Sequence, residues 1–523
     1  MTPPTPDGRR PSFWERAPLE PGRLAIVDPD GQEWTYGALW QAGNQVANGL
    51  RALGLAPQDP VAVILPNSHQ VYEVFSAALQ TGLYYVPINF HLTGREIEYI
   101  LTDSGAKAMI GHARYAGTVA EAADSAGIPA ERRLGIGGIE GFRDYDEFRA
   151  AFPAELPSDR SPGQRMYYTS GTTGRPKGVQ KAFPSGQVDA DAVGFSESLF
   201  GSTGLRSQVG GVHLVAGPTY HAAPLGFGLG ALHLGQTVVL MDKWSPEGTL
   251  ERIEKYKVTN THMVPTMFNR LLKMAPEERG RYDLSSLDSI AHAAAPCPVE
   301  TKRQMLEWLG PIISEYYASS EVGGTFIGPE EWMRKPGSVG RPRPGVELKI
   351  LDETGEEQPT GTPGLVYFLI QQPFTYHNDP TKTAATRLGD FATVGDIGYL
   401  DEDGYLFLCD RDSNLVIVGG VNVYPAEAEN ELIDHPSVLD VAVIGVPNPD
   451  TGEELKAVVA TTPGTQTGPE LASELIAWCQ SRLAKYKCPR SVDFVDALPR
   501  LDNGKLYKEK VRAWYWGEVG RNI

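Results

Sequence analysis

Short apolar runs alternate with amphipathic stretches from the N-terminal region to about Tyr316, and this rhythm constrains the fold more than any other feature. Apolar residues recur at helical spacing from Tyr36 to Leu53, and the apolar run VAVILP follows from Val61 to Pro66. A run this continuous is typical of a strand buried on both faces of a parallel sheet. The alternation returns at Val71–Leu79 with the run YYVPI behind it, Ala106–Gly111, Thr237–Met241, Ser289–Ala295 and Ile312–Tyr316. We therefore predict an α/β region in which helices flank two parallel-rich sheets.

The pattern changes after about Gly340, where shorter alternating runs are separated by Gly, Pro and Asp. The runs VELKIL, GLVYFLI and GYLFLCD predict a β-rich subdomain. Beyond Arg411 the strand-like runs VIVGG, VLDVAVIGV, LKAVVATT and SVDFV are interleaved with predicted helices at Pro425–Ile433 and Pro469–Leu483. We predict an N-terminal domain over residues 1–412 and a small mobile α+β domain over residues 413–523, which is within the usual range of domain sizes.

Composition narrows the class of protein. The chain has 523 residues and a formal net charge of −18, so its average surface repels nucleic acid and anionic lipid, and we expect no nucleic-acid partner. The four cysteines form no C-x-x-C pair, which argues against a disulfide framework or a zinc site and fits a reducing cytoplasm. No apolar segment follows the first ten residues, and no run of about 18 apolar residues occurs, so we expect neither a secretory signal nor a membrane span.

The segment YYTSGTTGRPKGV, from Tyr167 to Val179, carries the clearest sign of chemistry. Its glycines allow the backbone to approach an anion closely, its hydroxyl and N–H groups can donate to phosphate oxygens, and Lys177 supplies a positive charge. The spacing G-x-x-x-x-G-K-[ST] of a Walker A loop does not fit. The segment therefore predicts a phosphate-binding loop of another kind.

This loop resembles the phosphate loop of the adenylate-forming superfamily, which includes acyl-CoA synthetases, luciferases and nonribosomal adenylation domains. Six further segments are similar to the family's motifs, in the same order and over nearly the whole chain: TYHAAPL from Thr219, AAAPCP from Ala293, EYYASSE from Glu315, GDIGYLDEDGYLFLCDRD from Gly395, GGVNVYPAEAE from Gly419 and LPRLDNGK from Leu498. The chain most resembles the AMP-forming acyl-CoA synthetases. The resemblance implies ATP, Mg²⁺ and coenzyme A as substrates and cofactors.

The resemblance assigns a nucleotide site residue by residue. Tyr317 is implied to stack on adenine, Ser320 to contact the α-phosphate, and Asp396, assisted by Arg411, to accept hydrogen bonds from both ribose hydroxyls. Ala318 stands where the family usually has glycine. The implied nucleotide contacts are Thr169, Ser170, Gly171, Thr172, Thr173, Gly174, Lys177, Ala294, Ala295, Pro296, Tyr316, Tyr317, Ala318, Ser319, Ser320, Asp396 and Arg411.

Lys505, Glu321 and His221 are the implied catalytic group. Lys505, in the segment DNGKL, matches a mobile lysine that bridges the substrate carboxylate and the α-phosphate, where charge is concentrated in the transition state. Glu321 and Thr172 are the implied ligands of Mg²⁺, for which a carboxylate is a suitable hard ligand. His221 matches the gate of the acyl pocket, and we expect it to act as a pocket wall and not as a base.

Ser413 falls at the position of the family's domain hinge, where Asp or Lys is usual. Rotation of the C-terminal domain about this hinge is implied to withdraw Lys505 after adenylation and to open a path for a thiol. The loop from Gly419 to Pro425 resembles the segment beside the pantetheine tunnel, where two glycines let a narrow thiol chain pass close to the backbone.

The acid pocket is implied to be lined by His221, Phe227, Ala293, Val322, Gly323 and Gly324. Such a lining is largely apolar, and its two glycines leave room for a long or bulky tail, so we expect a hydrophobic aliphatic or aryl acid. The segment GFGLGA from Gly226 imitates a dinucleotide-binding signature, but no strand directly precedes it. We predict that its glycines serve close helix packing.

The sequence therefore predicts an ATP-dependent carboxylic acid:CoA ligase of the AMP-forming type, whose partners are a small-molecule carboxylic acid, ATP and CoA. We expect the protein to be a cytoplasmic monomer or homodimer. Three alternatives stay open. An amide bond synthetase would pass the same adenylate to an amine, and an adenylation domain would pass it to a carrier protein. A degenerate, non-enzymatic relative would only bind ligands, and the intact Lys177, Glu321, Asp396 and Lys505 argue against it.

Overall fold

The computed structural model describes residues 4–169, 176–343, 345–418, 421–448, 451–501 and 504–516. The chain divides into two compact units, which are described separately here. The first comprises Met1–Met263, Met274–Ala291 and Gln371–Ala385, and the second comprises Val264–Lys273, His292–Ile370 and Thr386–Ile523. The predicted domain boundary between residues 412 and 413 lies inside the second unit and stays a prediction.

The first unit contains a six-stranded sheet in which every neighbouring pair is parallel. Its strands, in spatial order, are Arg143–Asp144, Arg133–Ile136, Ala108–His112, Pro60–Ile64, Tyr84–Pro87 and Gln164–Arg165. Side chains such as Val86, Ile97 and Met109 form a fully buried cluster against one face of it. Burial throughout explains why the central strands Pro60–Ile64 and Tyr84–Pro87 are apolar runs in the sequence, whereas the strands Arg143–Asp144 and Gln164–Arg165 at the two edges are polar.

A second parallel-rich arrangement lies in the same unit. Leu24–Val27, Thr237–Leu240, Val212–Val215 and Asn260–Met263 pair in parallel in that order, and Glu33–Thr35 adds an antiparallel edge to the first of them. Tyr167–Thr169, Lys177–Lys181 and Phe374–Tyr376 form a smaller antiparallel sheet. The predicted α/β class with two parallel-rich sheets is therefore confirmed.

Local sequence signals fix the ends of several helices in the first unit. The Thr35 side chain accepts from the N–H of Ala38 at the start of Tyr36–Ala52. Thr93 and Glu96 form a reciprocal capping box, and Gly105 ends that helix at a φ of 67°. The helices of this unit are Phe13–Arg16, Tyr36–Ala52, His69–Gln80, Gly94–Ser104, Ala116–Ser125, Tyr145–Ala150, Val188–Gly201, Ala222–His233, Pro246–Tyr256, Pro276–Arg279 and Pro380–Ala385.

The second unit begins with short antiparallel pairings and the predicted β-rich subdomain. Ile313–Tyr317, Thr325–Ile327 and Arg341–Pro342 pair antiparallel in that order. Leu348–Leu351, Gly364–Leu369, Phe391–Leu400 and Leu406–Arg411 form an antiparallel sheet, to which Arg387–Leu388 adds a short strand. The helices here are Pro265–Leu272, Val299–Leu309 and Pro329–Arg334.

The chain beyond Arg411 forms the predicted α+β pattern. Its sheet comprises Val416–Val418, Val421–Val423, Val438–Asn448, Gly452–Thr461 and Ser491–Val495, with the helices Pro425–Ile433, Pro469–Gln480 and Lys508–Trp516. The helix Pro425–Ile433 and the strand Ser491–Val495 have the predicted bounds. Leu432, Val443, Val459 and Leu475 are among the residues of a shared buried core.

One predicted strand is shorter in the structure than its apolar run in the sequence. The strand predicted to run from Ser289 to Ala295 ends at His292, because Ala294 has a φ of 75°, which a strand does not accommodate.

Among the residues that the structure describes, no helix is long and apolar enough to cross a membrane.

Candidate active site

Tyr317, Asp396 and Arg411 form the nucleotide end of the candidate site. Strand pairing places Asp396 directly opposite Arg411, and Tyr317 ends the strand Ile313–Tyr317. The Tyr317 hydroxyl donates to Asp396 Oδ2 at 2.5 Å, and Arg411 Nε lies 3.2 Å from Asp396 Oδ1. Both oxygens of a buried carboxylate are therefore engaged, and each is a site at which a ribose hydroxyl can compete as donor.

Burial and the neighbouring Asp396 carboxylate raise the pKa of Tyr317 well above its usual value. The phenol therefore stays a hydrogen-bond donor to Asp396 throughout the working range of pH. Its ring also packs against Phe368, with 5.8 Å between the ring centroids. These contacts fix the orientation of a flat aromatic face, which is what stacking on a purine requires.

The turn after Tyr317 is shaped by Ser319. Its hydroxyl donates to the carbonyl oxygen of Val322 at 2.9 Å and accepts from the N–H groups of Glu321 and Val322. Glu321 lies in this turn and is buried, with 8% of its surface exposed. Gly323 closes the turn with a φ of 100°, a conformation that favours glycine.

Glu321 fits the predicted role of a magnesium ligand. Among the described residues there is no cluster of three or more His, Cys, Asp or Glu side chains that could hold a metal ion. Mg²⁺ commonly uses one or two carboxylates together with substrate phosphates, and a single buried carboxylate in this turn suits that arrangement. Thr172, the other predicted ligand, lies outside the described residues.

Lys505 lies in a tight loop that the structure holds from three directions. The N–H of Leu501 donates to the Lys505 carbonyl oxygen at 2.8 Å. The carbonyl oxygen of Gly504, one residue earlier, accepts from Arg500 Nη1 at 2.6 Å and from the Thr266 hydroxyl at 3.1 Å. Gly504 has a φ of 78°, and a Cβ there would stand 2.9 Å from Thr266 Oγ1 and from Val264 Cγ2. Glycine is therefore required at this position for both conformation and space.

Charge links this loop to the nucleotide end. Burial and, to a smaller extent, the positive charge of Arg411 lower the pKa of Lys505 to about 8, although the carboxylates of Asp396 and Glu321 act in the opposite direction. The structure thus brings Glu321, Asp396, Arg411 and Lys505 into electrostatic range of one another. They were predicted from three separate motifs, one of which carries both Asp396 and Arg411.

The helix Pro265–Leu272 contributes residues that the sequence analysis did not find. Thr266 donates to Gly504 as described, the Asn269 side-chain amide donates to the Leu439 carbonyl oxygen at 3.3 Å, and Lys273 Nζ donates to the Val438 carbonyl oxygen at 3.1 Å. All three acceptors belong to the main chain. No motif signals such contacts, because any sequence presents the same carbonyl groups.

A buried ion pair supports the strand that carries Tyr317. Lys302 Nζ donates to Glu315 Oε2 at 2.6 Å, and both side chains are buried. Lys302 also lies 4.7 Å from the centre of the Trp332 ring, and His292 Nε2 lies 3.4 Å from the same Glu315 oxygen. A lysine on the buried face of the helix Val299–Leu309 gives no signal in the sequence beyond an interrupted apolar stripe.

The remaining predicted residues of the second unit differ in their burial. Ala294 is exposed and has a positive φ of 75°, which fits a loop open to a ligand. Ala293, Val322 and Gly324 are buried, Ala295, Tyr316, Ser319, Ser320 and Gly323 are half-buried, and Pro296 and Ala318 are exposed. Their roles as nucleotide or acid contacts stay predictions.

The phosphate loop belongs to the first unit. Thr169 ends one strand and pairs with Lys177, which begins the next, so the two strands that flank the predicted loop in the sequence are antiparallel neighbours. Lys177 Nζ donates to Asp379 Oδ2 at 2.7 Å, which holds the ammonium group at the base of the loop. Ser170, Gly171, Thr172, Thr173 and Gly174, all predicted to contact the nucleotide, lie outside the described residues.

His221 and Phe227 also belong to the first unit. His221 immediately precedes the helix Ala222–His233 and is half-buried. Phe227 is fully buried and stacks on His262, with 5.3 Å between the ring centroids. In the same helix a Cβ on Gly228 would overlap the Tyr72 hydroxyl and one on Gly230 would stand 3.1 Å from the Phe200 ring, which supports close packing at these two glycines, whereas one on Gly226 would meet nothing nearer than 3.7 Å. The pocket roles of His221 and Phe227 stay predictions.

Comparison with known families gives a match over both parts of the chain. The family described as AMP-binding enzyme matches residues 13–374, and the family described as AMP-binding enzyme C-terminal domain matches residues 427–505.

Three similar proteins differ in the acceptor that their names state. The fatty acid–[acyl-carrier-protein] ligase ScoC of Streptomyces coeruleorubidus is 32% identical over 517 residues, covering 96% of each chain. A feruloyl-CoA synthase of Amycolatopsis sp. is 35% identical over 503 residues, covering 95% of this chain and 97% of its own. The solved structure of the amide bond synthetase McbA from Marinactinospora thermotolerans has a TM-score of 0.82 at 27% identity, covering 96% of this chain and 99% of its own.

Proposed function

The chain belongs to the AMP-binding enzyme family, and we propose that it is an ATP-dependent carboxylic acid:CoA ligase that works through an acyl-adenylate. The observation that carries this proposal is the position of Lys505, a partly buried lysine within electrostatic range of Glu321, Asp396 and Arg411. This is a cation beside a nucleotide-binding constellation, as adenylation requires.

In the first half-reaction a carboxylate oxygen of the acid attacks the α-phosphorus of ATP, and the bond from that phosphorus to the bridging oxygen breaks. The products are acyl-AMP and pyrophosphate. Negative charge concentrates on the phosphoryl oxygens and the entering carboxylate, and the Lys505 ammonium group stabilises it. Asp396 and Arg411 hold the ribose, Tyr317 holds the adenine, and Glu321 would hold Mg²⁺, whose charge offsets that of the phosphates.

In the second half-reaction the CoA thiolate attacks the acyl carbon of the mixed anhydride, and AMP leaves with the electrons of the broken bond. We propose that residues 413–523 rotate against residues 1–412 between the two steps. Near the proposed hinge, Asp410 accepts from the N–H of Ala426 at 3.1 Å, and Arg512 donates to the Ser413 carbonyl oxygen at 3.3 Å. Rotation would have to rearrange such contacts.

Replacing the catalytic lysine tests the first step. Lys505→Ala should lower pyrophosphate release by at least about 100-fold, because it removes charge stabilisation in the transition state. Conversion of supplied acyl-AMP and CoA to the thioester should change little, because the lysine acts only in adenylation. Lys510→Ala, an exposed lysine on the following helix, is the matched control. Equal loss in both half-reactions would refute the division of labour.

The identity of the acceptor needs a separate experiment. Enzyme-bound acyl-AMP, formed in a single turnover, is mixed with CoA, with a panel of amines or with buffer alone. We expect CoA to accelerate the decay and to yield a thioester. If CoA leaves the decay at its hydrolytic rate while an amine accelerates it, the protein is an amide bond synthetase instead.

The similarity to ligases whose names state CoA, carrier-protein and amide products supports an acyl-adenylate as the common intermediate. CoA is proposed over the others because the higher-identity relative is a CoA ligase by name. A hydrophobic aliphatic or aryl acid is proposed as substrate, because the predicted lining around Ala293, Val322 and Gly324 is buried and small or apolar.

A further inference from the structure

Arg343 carries a guanidinium group that has no ion-pair partner among the residues that the structure describes. It follows the short strand Arg341–Pro342, and its N–H donates to the Gly324 carbonyl oxygen at 3.2 Å. Its Nε atom is buried, and the structure gives the guanidinium no hydrogen bond or ion pair with any residue that it describes. Burial lowers the pKa of Arg343, and the neighbouring Tyr316 acts in the opposite direction.

The neighbouring Gly324 makes room for this guanidinium. A Cβ on Gly324 would stand 3.0 Å from Arg343 Cζ and Nε and 3.1 Å from Nη2. Gly324 does not have a positive φ, so glycine is needed at this position for lack of space and not for its backbone conformation. Gly323 differs, because it has a φ of 100° and a Cβ there would stand 3.1 Å from the Phe368 ring. The space beside the two predicted pocket glycines is therefore filled by one aromatic ring and one cation.

A buried charged donor without an acceptor is unfavourable, and proteins normally place a carboxylate or carbonyl group beside it. Arg343 stands next to a residue of the predicted acid pocket and has no such group among the described residues. An acceptor that arrives with the ligand would satisfy it. A guanidinium presents a planar fork, which pairs with a carboxylate through two hydrogen bonds or with a neutral oxygen through one.

We propose that Arg343 is a specificity-determining residue and that the preferred acid carries a hydrogen-bond-accepting oxygen on its tail, held by this guanidinium. The inference rests on the proposed function and refines its substrate class: the walls of the predicted acid pocket are apolar, and the end that receives the tail of the acid is polar. A site that hydrogen-bonds one oxygen of a substrate rejects the analogue that lacks it, because its own donor is then left unpaired.

The test uses matched acids in a pyrophosphate-release assay, which needs no thiol or amine. Cinnamate is compared with 4-methoxycinnamate and 4-carboxycinnamate, and octanoate with suberate, so that neutral and anionic oxygens are distinguished. We expect kcat/KM to favour an oxygen-bearing acid over its hydrocarbon analogue. Arg343→Met should lower that ratio by roughly 10- to 100-fold. The control is Arg341→Met, an exposed neighbour paired with Glu331 at 2.8 Å, which should leave the ratio unchanged.

Gly324→Ala provides a second variant that keeps the charge. Its Cβ would displace the guanidinium, so the ratio should fall in the same direction. The proposal is wrong if wild-type enzyme shows no preference for any oxygen-bearing acid, if Arg343→Met leaves the ratio within about twofold, or if both variants lose activity toward all acids in equal proportion. Pyrophosphate release with no acid at all would refute the proposed function itself, and this inference with it.

Discussion

Arg500 binds Asp440 through two hydrogen bonds of 2.6 Å, and its remaining nitrogen donates to the carbonyl oxygen of Gly504, the residue before Lys505. Asp440 lies at an irregularity in the strand Val438–Asn448. The ion pair therefore connects the loop of the catalytic lysine to a sheet. A planar fork is needed for all three bonds, which lysine cannot provide.

We expect Arg500→Ala and Arg500→Lys both to lower pyrophosphate release by about 10- to 100-fold, because misplacing a catalytic group by about 1 Å has effects of this size. Asp440→Asn should have a smaller effect in the same direction. Arg490→Ala, an arginine in the same region that lies 3.9 Å from Glu454, is the control. An unchanged adenylation rate in Arg500→Lys would show that the fork does not position Lys505.

Thr266 offers a finer test of the same loop. Thr266→Val removes the donor to Gly504 but keeps the side-chain shape, and Thr266→Ser keeps the donor. We expect the valine variant to adenylate about 3- to 10-fold more slowly, as the loss of one hydrogen bond predicts, and the serine variant to remain close to wild type. Pyrophosphate release is measured in both variants, and equal rates would contradict a role for the Thr266 hydroxyl in positioning this loop.

Asp396→Ala should raise the apparent KM for ATP, because contacts to the ribose are made in both the ground state and the transition state. Tyr317→Phe removes the hydroxyl that donates to Asp396 Oδ2 but keeps the ring, so it should raise the same KM to a smaller extent. Tyr399→Phe, at a tyrosine three residues further along the strand that carries Asp396, is the control. The prediction fails if the ATP dependence of Asp396→Ala matches that of wild type.

The pKa of Lys505 predicts a pH dependence. The charged form stabilises the adenylation transition state, and the pKa of about 8 lies below the usual 10.5, so kcat/KM for pyrophosphate release should fall as pH rises through about 8. Arg411→Gln removes a positive charge that lowers this pKa, and the fall should move to higher pH. A profile from pH 6 to 10 measures both. An alkaline limb that does not move in Arg411→Gln would assign it to another group.

Much of this architecture could be predicted because it depends on patterns that repeat along the chain. The run at Pro60–Ile64 is apolar throughout because its strand is covered on both faces, and Thr93 with Glu96 marks a helix start by local hydrogen bonds. Lys505 and Asp396 were found through motifs, because their chemistry requires one residue type at one place. The structure brings these two into electrostatic range of each other.

Other parts could not be predicted, because they depend on contacts between distant residues. Lys302 and Glu315 are 13 positions apart, and neither sequence environment indicates that both are buried. Arg343 follows the short strand Arg341–Pro342, and nothing in its own segment indicates that its guanidinium packs against Gly324. Ala294 likewise gave no sign of the positive φ that ends its strand early.

Thr266 and Asn269 of the helix Pro265–Leu272, and Lys273 just after it, each donate to a main-chain carbonyl group. The acceptors are Gly504, Leu439 and Val438, respectively. Every amino acid carries such a carbonyl group, so substitutions at Val438 and Leu439 leave the acceptors in place. The two sides of this contact therefore respond unequally to substitution: a change at Thr266, Asn269 or Lys273 can remove a donor, whereas a new side chain at Leu439 leaves the carbonyl acceptor in place. Val438 is buried in the core, so its side chain is constrained by packing and not by this contact.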